Sequence, residues 1–300
     1  MIQISRATVK IMENSSKTEH VNIIKEWLKK QQHLPQLIND TLLIRFLHTC
    51  NFSIEQTKNL IDLFYTLRWH TPEIFTDRDP ASPEIQEIFQ NFDFIPMPKL
   101  SKNNEKIFVY HIKTPDPAKY HFINALKAFF IFADVRMAIE EKIPEGEIPI
   151  FDMTNFTLKH LTKINLHVLK KYMIYTQEAH PIKLKQIHLI NVPSFLDRCM
   201  QIVRPFMKSE VGKMVHTHLP NSCTLFDFLP KELLPIEYGG EAGSIQDIKK
   251  WWLEKIMEHR DYINDSSRWA VDESKRTCDN NNSEKKMFGL EGSFRSLAID

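Results

Sequence analysis

A chain of 300 residues is long enough for one large domain or two modest ones, each with a core of its own. Apolar residues make up 42% and charged residues 26%, the balance of a soluble globular protein, with phenylalanine in excess at 20 against 7 glycines. A formal net charge of +1 excludes a bulk nucleic-acid binder, which carries a strongly basic balance or stripe.

Ser16 with Glu19 reads as a capping box, and Val21, Ile24 and Leu28 follow at helical spacing, so a helix is predicted over 17–32. Pro35 ends that run, and Asp40 is placed to cap the short helix "TLLIRFLHTC". Ser53 with Gln56 is a second capping box, opening a helix whose Leu60, Ile61, Phe64 and Leu67 share one face before Pro72. Residues 16–75 thus read as an all-helical unit. Pro80, Pro83, Pro96 and Pro98 then mark a connecting region. "KIFVYHI" (106–112) reads as a strand, "FINALKAFFIFADVRMAIEE" (122–141) as a long apolar helix, and "GEIPIFDM" (146–153) as a strand with Pro149 hinting at an edge or bulge. A second long helix is predicted over 158–179 and a third strand at "IHLINV" (187–192). The alternation implies βαβ units and a parallel or mixed sheet. "CTLFDFL" reads as a short strand and 245–263 as a last helix, while 264–300 is polar, its "DNNNSEKK" loose and its final "MFGLEGSFRSLAID" apolar enough to dock.

Chemical signatures are sparse. Cys50, Cys199, Cys223 and Cys278 are far apart and form no CxxC pair, which argues against a zinc site or a disulfide framework. There is no GxSxG elbow, no P-loop and no GxGxxG after a strand, and "GGEAGS" (239–244) lacks a lysine. His216 and His218 alternate without further ligands and read as structural histidines, His188 as a hydrogen-bonded core histidine, and Asp152 as a turn or cap aspartate. No enzyme, metal or cofactor is expected. The stretch MIQISRATVKIMENSSK has no apolar core of about 7–15 residues, and no window approaches the roughly 20 of a membrane span, so an intracellular, cytoplasmic protein is expected.

The stretch "IHLINVPSFLDRCMQIVRPFMK" (187–208) passes from a buried strand into a two-faced helix. Leu196, Met200, Val203, Met207, Val211 and Met214 form one apolar stripe, and Phe195, Cys199, Ile202 and Phe206 a second beside it. Arg198, Gln201, Arg204 and Lys208 lie opposite, and Pro205 must kink or restart the helix. This pattern fits a movable cover over an apolar cavity, and equally an amphipathic core helix with solvated arginines.

Taken over the whole chain, four stretches decide between these readings. "DTLLIRFLHTCNFSIEQTKNLI", "GEIPIFDMTNF" (with Asn155 where a glycine is usual), "IKLKQIHLINVPSFLDRCMQIVRPFM" and "LLPIEYGG" occur in the order and spacing of the CRAL-TRIO family over roughly 18–265. The chain resembles that family, in particular its branch containing α-tocopherol transfer protein and cellular retinaldehyde-binding protein. The terminal "GSFRSLAID" is similar to the ending of insect members.

The resemblance implies an α/β fold: an N-terminal all-helical bundle (16–80, after a flexible 1–15), then a lipid-binding domain (81–265) and a polar tail (266–300). A sheet would floor an apolar pocket under a mobile gate at about 191–214. The pocket is expected to draw on Leu126, Phe129, Phe130, Ala133 and Met137, on Tyr172 and Tyr175, on Phe151, Ile187 and Leu189, and on Phe195, Val203 and Phe206. A phosphoinositide or membrane patch would comprise Lys183 and Lys185 with Arg204, Lys208 and Lys213, although Glu210 and Met214 occupy positions that are basic in the tocopherol-transfer branch. The expected function is a monomeric carrier of a tocopherol, retinoid, carotenoid or similar lipid that meets membranes transiently. The alternatives are a phosphatidylinositol or phosphoinositide transfer protein, and an interaction module with a collapsed pocket.

Overall fold

The computed structural model describes residues 6–276, with 6–16 as helical backbone only. The expected docking of "MFGLEGSFRSLAID" and the position of Cys278 lie outside the described residues. In chain order the elements are α1 (Arg6–Leu28), α2 (Asp40–Thr49), α3 (Ile54–Trp69), α4 (Pro72–Phe75), α5 (Pro83–Asn91), β1 (Phe92–Leu100) and β2 (Glu105–Ile112). Then come α6 (Phe122–Ile139), β3 (Gly146–Asp152), α7 (Leu158–Leu161), α8 (Leu166–Glu178), β4 (Ile187–Ile190), α9 (Leu196–Val203) and α10 (Ser209–Gly212). β5 (Val215–Thr217), α11 (Ile245–Glu258) and α12 (Arg260–Asn264) complete the set. The chain divides into a helical unit (residues up to Pro72, His167–His180 and from Ser267) and an α/β unit (Glu73–Leu166 and Pro181–Ser266).

In the helical unit Ile24, Leu43, Phe46, Leu47, Ile61 and Phe64 are wholly buried, with Phe46 and Phe64 edge to face at 5.1 Å. Arg68 is buried among them and donates from Nε to the Tyr175 hydroxyl at 2.8 Å, its guanidinium lying 4.1 Å over the Phe64 ring. Arg276 Nη1 donates to both carboxylate oxygens of Asp62 at 3.0 Å. Two caps differ from expectation. α1 already runs through Ser16, so no box starts there, and Asn39 rather than Asp40 caps α2, accepting from the Leu42 amide at 2.8 Å. Ser53 stands at the N-cap of α3 but its side chain makes no capping bond.

The α/β unit is built on a five-stranded sheet in the order β1-β2-β3-β4-β5, with β1 antiparallel and the rest parallel. The proline-rich stretch expected to be a connection is α5 and β1. Pro96 and Pro98 are tolerated because β1 is an edge strand whose register breaks between Pro96 and Leu100, and the Trp252 indole donates to the Pro96 carbonyl at 3.0 Å. Pro149 is in the central strand, not at an edge. It falls in a gap of the β3–β4 ladder, between the Glu147–Leu184 bridge and the Ile150–His188 pair, where no amide is required. The helix expected over 158–179 is two helices parted at Thr162–Asn165, and "CTLFDFL" is a 3-10 turn (Thr224–Asp227), not a strand.

One face of the sheet is a finished core. Ile107, Val109, Ile148, Ile150 and Ile190 pack under Leu225, Leu229, Leu233 and Leu234. The motif "LLPIEYGG" makes this possible. Gly239 adopts φ +72°, and Gly240 runs so close to the Leu234 carbonyl that no Cβ fits.

Candidate functional site

The strand register sets Phe108 and Tyr110 of β2, Phe151 of β3, and Ile187 and Leu189 of β4 on the opposite face. Beside β1 this face is closed by α6, whose Ala128, Ile131, Phe132 and Val135 join Phe92 and Phe94 in a buried cluster. Phe129 lies 5.4 Å from the Tyr110 ring, which stacks on Phe151 at 4.8 Å. Beyond Phe151 the packing is incomplete: Phe151, Ile187 and Leu189 are half-buried, although β3 and β4 are interior strands. Fully burying such a side chain is worth roughly 1.5–3 kcal/mol, so this strip favours an apolar occupant.

The segment after β4 is divided as its proline requires. α9 stops at Val203, Arg204–Phe206 form a 3-10 turn around Pro205, Met207 is extended, and α10 restarts at Ser209. Phe195, Leu196, Met200, Ile202, Val203 and Phe206 are half-buried and Cys199 is buried, while Arg198, Gln201, Arg204 and Lys208 are exposed. The Phe195 ring lies 6.5 Å from Phe156 in the loop after β3. Asn191 opens the segment with φ +52°, a left-handed turn that asparagine tolerates, and donates to the Asp152 carboxylate at 2.9 Å.

Not every expected pocket residue lies free to meet a ligand. Leu126, Phe130, Ala133 and Met137 form one buried stripe of α6, and Phe130 packs against Phe75 at 4.7 Å. Tyr175 is a correction: it belongs to the helical unit, is wholly buried, and its hydroxyl is engaged by Arg68, so it is not held out for a ligand's polar head. Tyr172, half-buried, lies on the same helix of that unit. Phe129, Phe151, Ile187, Leu189, Phe195, Val203 and Phe206 remain half-buried in the α/β unit. Of the basic set, Lys183 is half-buried and Lys185, Arg204, Lys208 and Lys213 are exposed; the Lys185 side chain lies across the bare Cα of Gly146.

Sequence reasoning missed the clamp at the carboxyl end of β3. Asp152 does make the expected turn, accepting from the Thr154 amide at 2.9 Å, but it also accepts from Asn191 and, at 2.8 Å, from the Tyr238 hydroxyl. Burial works against its charge, yet the donors from Asn191, Thr154 and Tyr238 hold the carboxyl below the usual range. The signal lay in the tyrosine of "LLPIEYGG", with nothing in the sequence to pair it with Asp152.

A cleft of about 1270 Å³ opens at the carboxyl ends of the strands, lined by Asp93, His111, Asp152, Tyr238, Lys249 and Leu253 among others. None of the expected pocket residues lines it. Several of its polar groups are engaged with one another: Lys249 meets Asp93 at 2.6 Å, His111 approaches Asp93 at 3.3 Å, and Glu237 accepts from the Ile245 amide at 2.9 Å. An apolar ligand there would desolvate this network at a cost.

Among the described residues no helix is long and apolar enough to cross a membrane, and no group of three or more His, Cys, Asp or Glu side chains could hold a metal ion. A family model described as CRAL/TRIO domain matches residues 93–240, and one described as Pinta-like, UBA domain matches 13–85. The mouse protein named alpha-tocopherol transfer protein-like is 21% identical over 244 residues, covering 81% of this chain and 70% of its own length. Mouse clavesin-2 is 23% identical over 234 residues, covering 78% and 70%. The crystal structure of Sfh5 aligns with 86% of this chain and 100% of its own at 15% identity and a TM-score of 0.49.

Proposed function

We infer that the chain belongs to the CRAL/TRIO family, whose domain model matches residues 93–240, and we propose that it is a carrier of a hydrophobic small molecule. The molecule, a tocopherol, retinoid, carotenoid or similar lipid, occupies the apolar strip on the sheet and is covered by the segment 191–214. Exchange is non-covalent: the segment swings away at a membrane surface, the ligand crosses, and the segment closes. The observation that carries this reading is the contrast between the two faces of one sheet. Behind β3 and β4 the aliphatic side chains are fully packed, while Phe151, Ile187 and Leu189 in front are left half-buried.

A ligand that buries ~400 Å² of apolar surface gains on the order of 10 kcal/mol before the costs of ordering and desolvation. The exposed Arg198, Arg204 and Lys208 would each add about 1 kcal/mol of attraction near an anionic membrane. The carrier works in the cytoplasm as a monomer under this reading.

Native mass spectrometry and organic extraction of the protein purified from a eukaryotic host test it. A stoichiometric co-purifying lipid or isoprenoid is expected. A mass that stays free of ligand after incubation with lipid extracts would refute the carrier reading and favour an interaction module.

A further inference from the structure

The half-buried strip on the sheet ends in charge. By register its rows are Tyr110, Phe151 and Leu189, then Phe108 and Pro149 beside Ile187, then Lys106, Glu147 and Leu184. The β2 and β3 members alternate with Ile107, Val109, Ile148 and Ile150 of the aliphatic core, so they stand on the opposite face. Pro149, Ile187 and Leu184 are half-buried like Phe151 and Leu189, so the open strip continues down to the third row. Rows two residues apart are separated by about 6.6 Å, which sets the charged row about 13 Å from Phe151.

Arg136 of α6 and Glu140 at its carboxyl end complete that row. Arg136 donates from Nε and Nη2 to Glu140 at 3.1 and 3.2 Å, and from Nη2 to Glu147 Oε1 at 2.8 Å. Its guanidinium lies 4.1 Å over the Phe108 ring, in the row above. Lys106 Nζ meets Glu140 Oε1 at 3.2 Å. Lys106, Arg136 and Glu147 are all buried, so cations and carboxylates balance one another on the same face as the apolar strip. Well-packed apolar residues often hold a fold as well as a buried ion network or better, so stability does not account for this one.

The hydrogen bonds of this network are unevenly shared. Glu140 accepts from both cations. Glu147 accepts through Oε1 alone, and its Oε2 has no hydrogen bond among the described residues and is not sealed from solvent. Lys106, with one such contact, has N–H groups to spare. An ionised carboxylate only accepts, so Oε2 calls for a donor. A ketone or ester offers none and sets its lone pairs against the carboxylate. A hydrocarbon strips Oε2 of water and returns nothing. A phosphate meets no net positive charge, because the cations are already balanced. A hydroxyl fits: it donates to Glu147 and accepts from Lys106.

We infer that Glu147, held by Arg136, is the polar anchor of the strip, and that the ligand is a neutral lipid bearing a free hydroxyl. This rests on the carrier reading and narrows it. The hydroxyl end lies at the amino ends of the strands, and the apolar body runs past Ile187 and Phe151 towards the segment 191–214.

The test offers the delipidated full chain a total lipid extract of eukaryotic cells, and the same extract after acetylation, which caps hydroxyls and keeps the hydrocarbon skeletons. Retained lipids are identified by organic extraction and mass spectrometry. A neutral lipid with a free hydroxyl is expected, and acetylation should cut its retention about tenfold or more. In Glu147→Leu the free and acetylated forms should be retained within about twofold of each other. Should that variant not fold, Arg136→Met/Glu147→Leu, which removes the pair together, takes its place. A retained hydrocarbon, ester or phospholipid, or equal retention of the acetylated lipid by the native chain, overturns the hydroxyl anchor and leaves the carrier reading intact. Discrimination that persists in the variants overturns the part given to Glu147. A chain that retains nothing from either extract refutes the carrier reading itself, and the anchor with it.

Discussion

Replacing Tyr238 with Phe removes one hydroxyl and keeps the ring, so the change isolates its hydrogen bond to Asp152. The bond is 2.8 Å long and its acceptor is a carboxylate that is 8% exposed. Hydrogen bonds to charged groups contribute about 1.5–3 kcal/mol, and Asp152 retains donors from Thr154 and Asn191, so a loss at the lower end is expected. Urea unfolding followed by circular dichroism measures it as a lower midpoint at unchanged slope. The effect should fade in acid. Asp152 is held below its ordinary range by its donors, so its contribution is present above about pH 4, the unfolded value, and is lost as pH falls through the lower folded value. In an Asp152→Asn background the Tyr238→Phe step should cost about 1 kcal/mol less, because the acceptor no longer carries charge. A loss below about 0.5 kcal/mol at pH 7 would refute the clamp.

Val203→Asp places a carboxylate on the half-buried face of α9 and should abolish retention of a co-purified lipid while leaving circular dichroism near native; unchanged retention in an extraction assay would remove Val203 from the pocket. Gly240→Ala forces a Cβ against the Leu234 backbone, and a loss of about 2 kcal/mol or more is expected in the same urea assay. Arg78→Met breaks a 2.7 Å pair with Asp134 in which both side chains are buried, and should lower stability by about 3–5 kcal/mol, read as thermal midpoint or soluble yield.

What the sequence made legible was periodic or local. Strands β2, β3 and β4 and helix α6 announce themselves by β-branched runs and by length, and Pro205 breaks the segment 191–214 where its ring chemistry demands. The missed elements were decided by distant partners. β1 carries two prolines and reads as a linker until Trp252, far along the chain, supplies a donor to Pro96. Tyr175 reads as a candidate ligand contact because its spacing on α8 is visible, whereas Arg68, which engages it, is 107 positions away. No pattern of spacing pairs Tyr238 with Asp152, which lie 86 positions apart.

The two faces of the sheet explain each other energetically. Leaving Phe151, Ile187 and Leu189 half-buried forfeits about 1 kcal/mol apiece relative to full burial. A domain only marginally stable can hold such a surface open only if other parts of the sheet are well secured. Here the securing elements lie behind and at the end of the same strands: the aliphatic layer under Leu225, Leu229, Leu233 and Leu234, the Asp152–Tyr238 clamp, and the Trp252 bond to β1. None of these contacts touches the half-buried strip, so under the carrier reading a ligand would come and go without disturbing what holds the strands together.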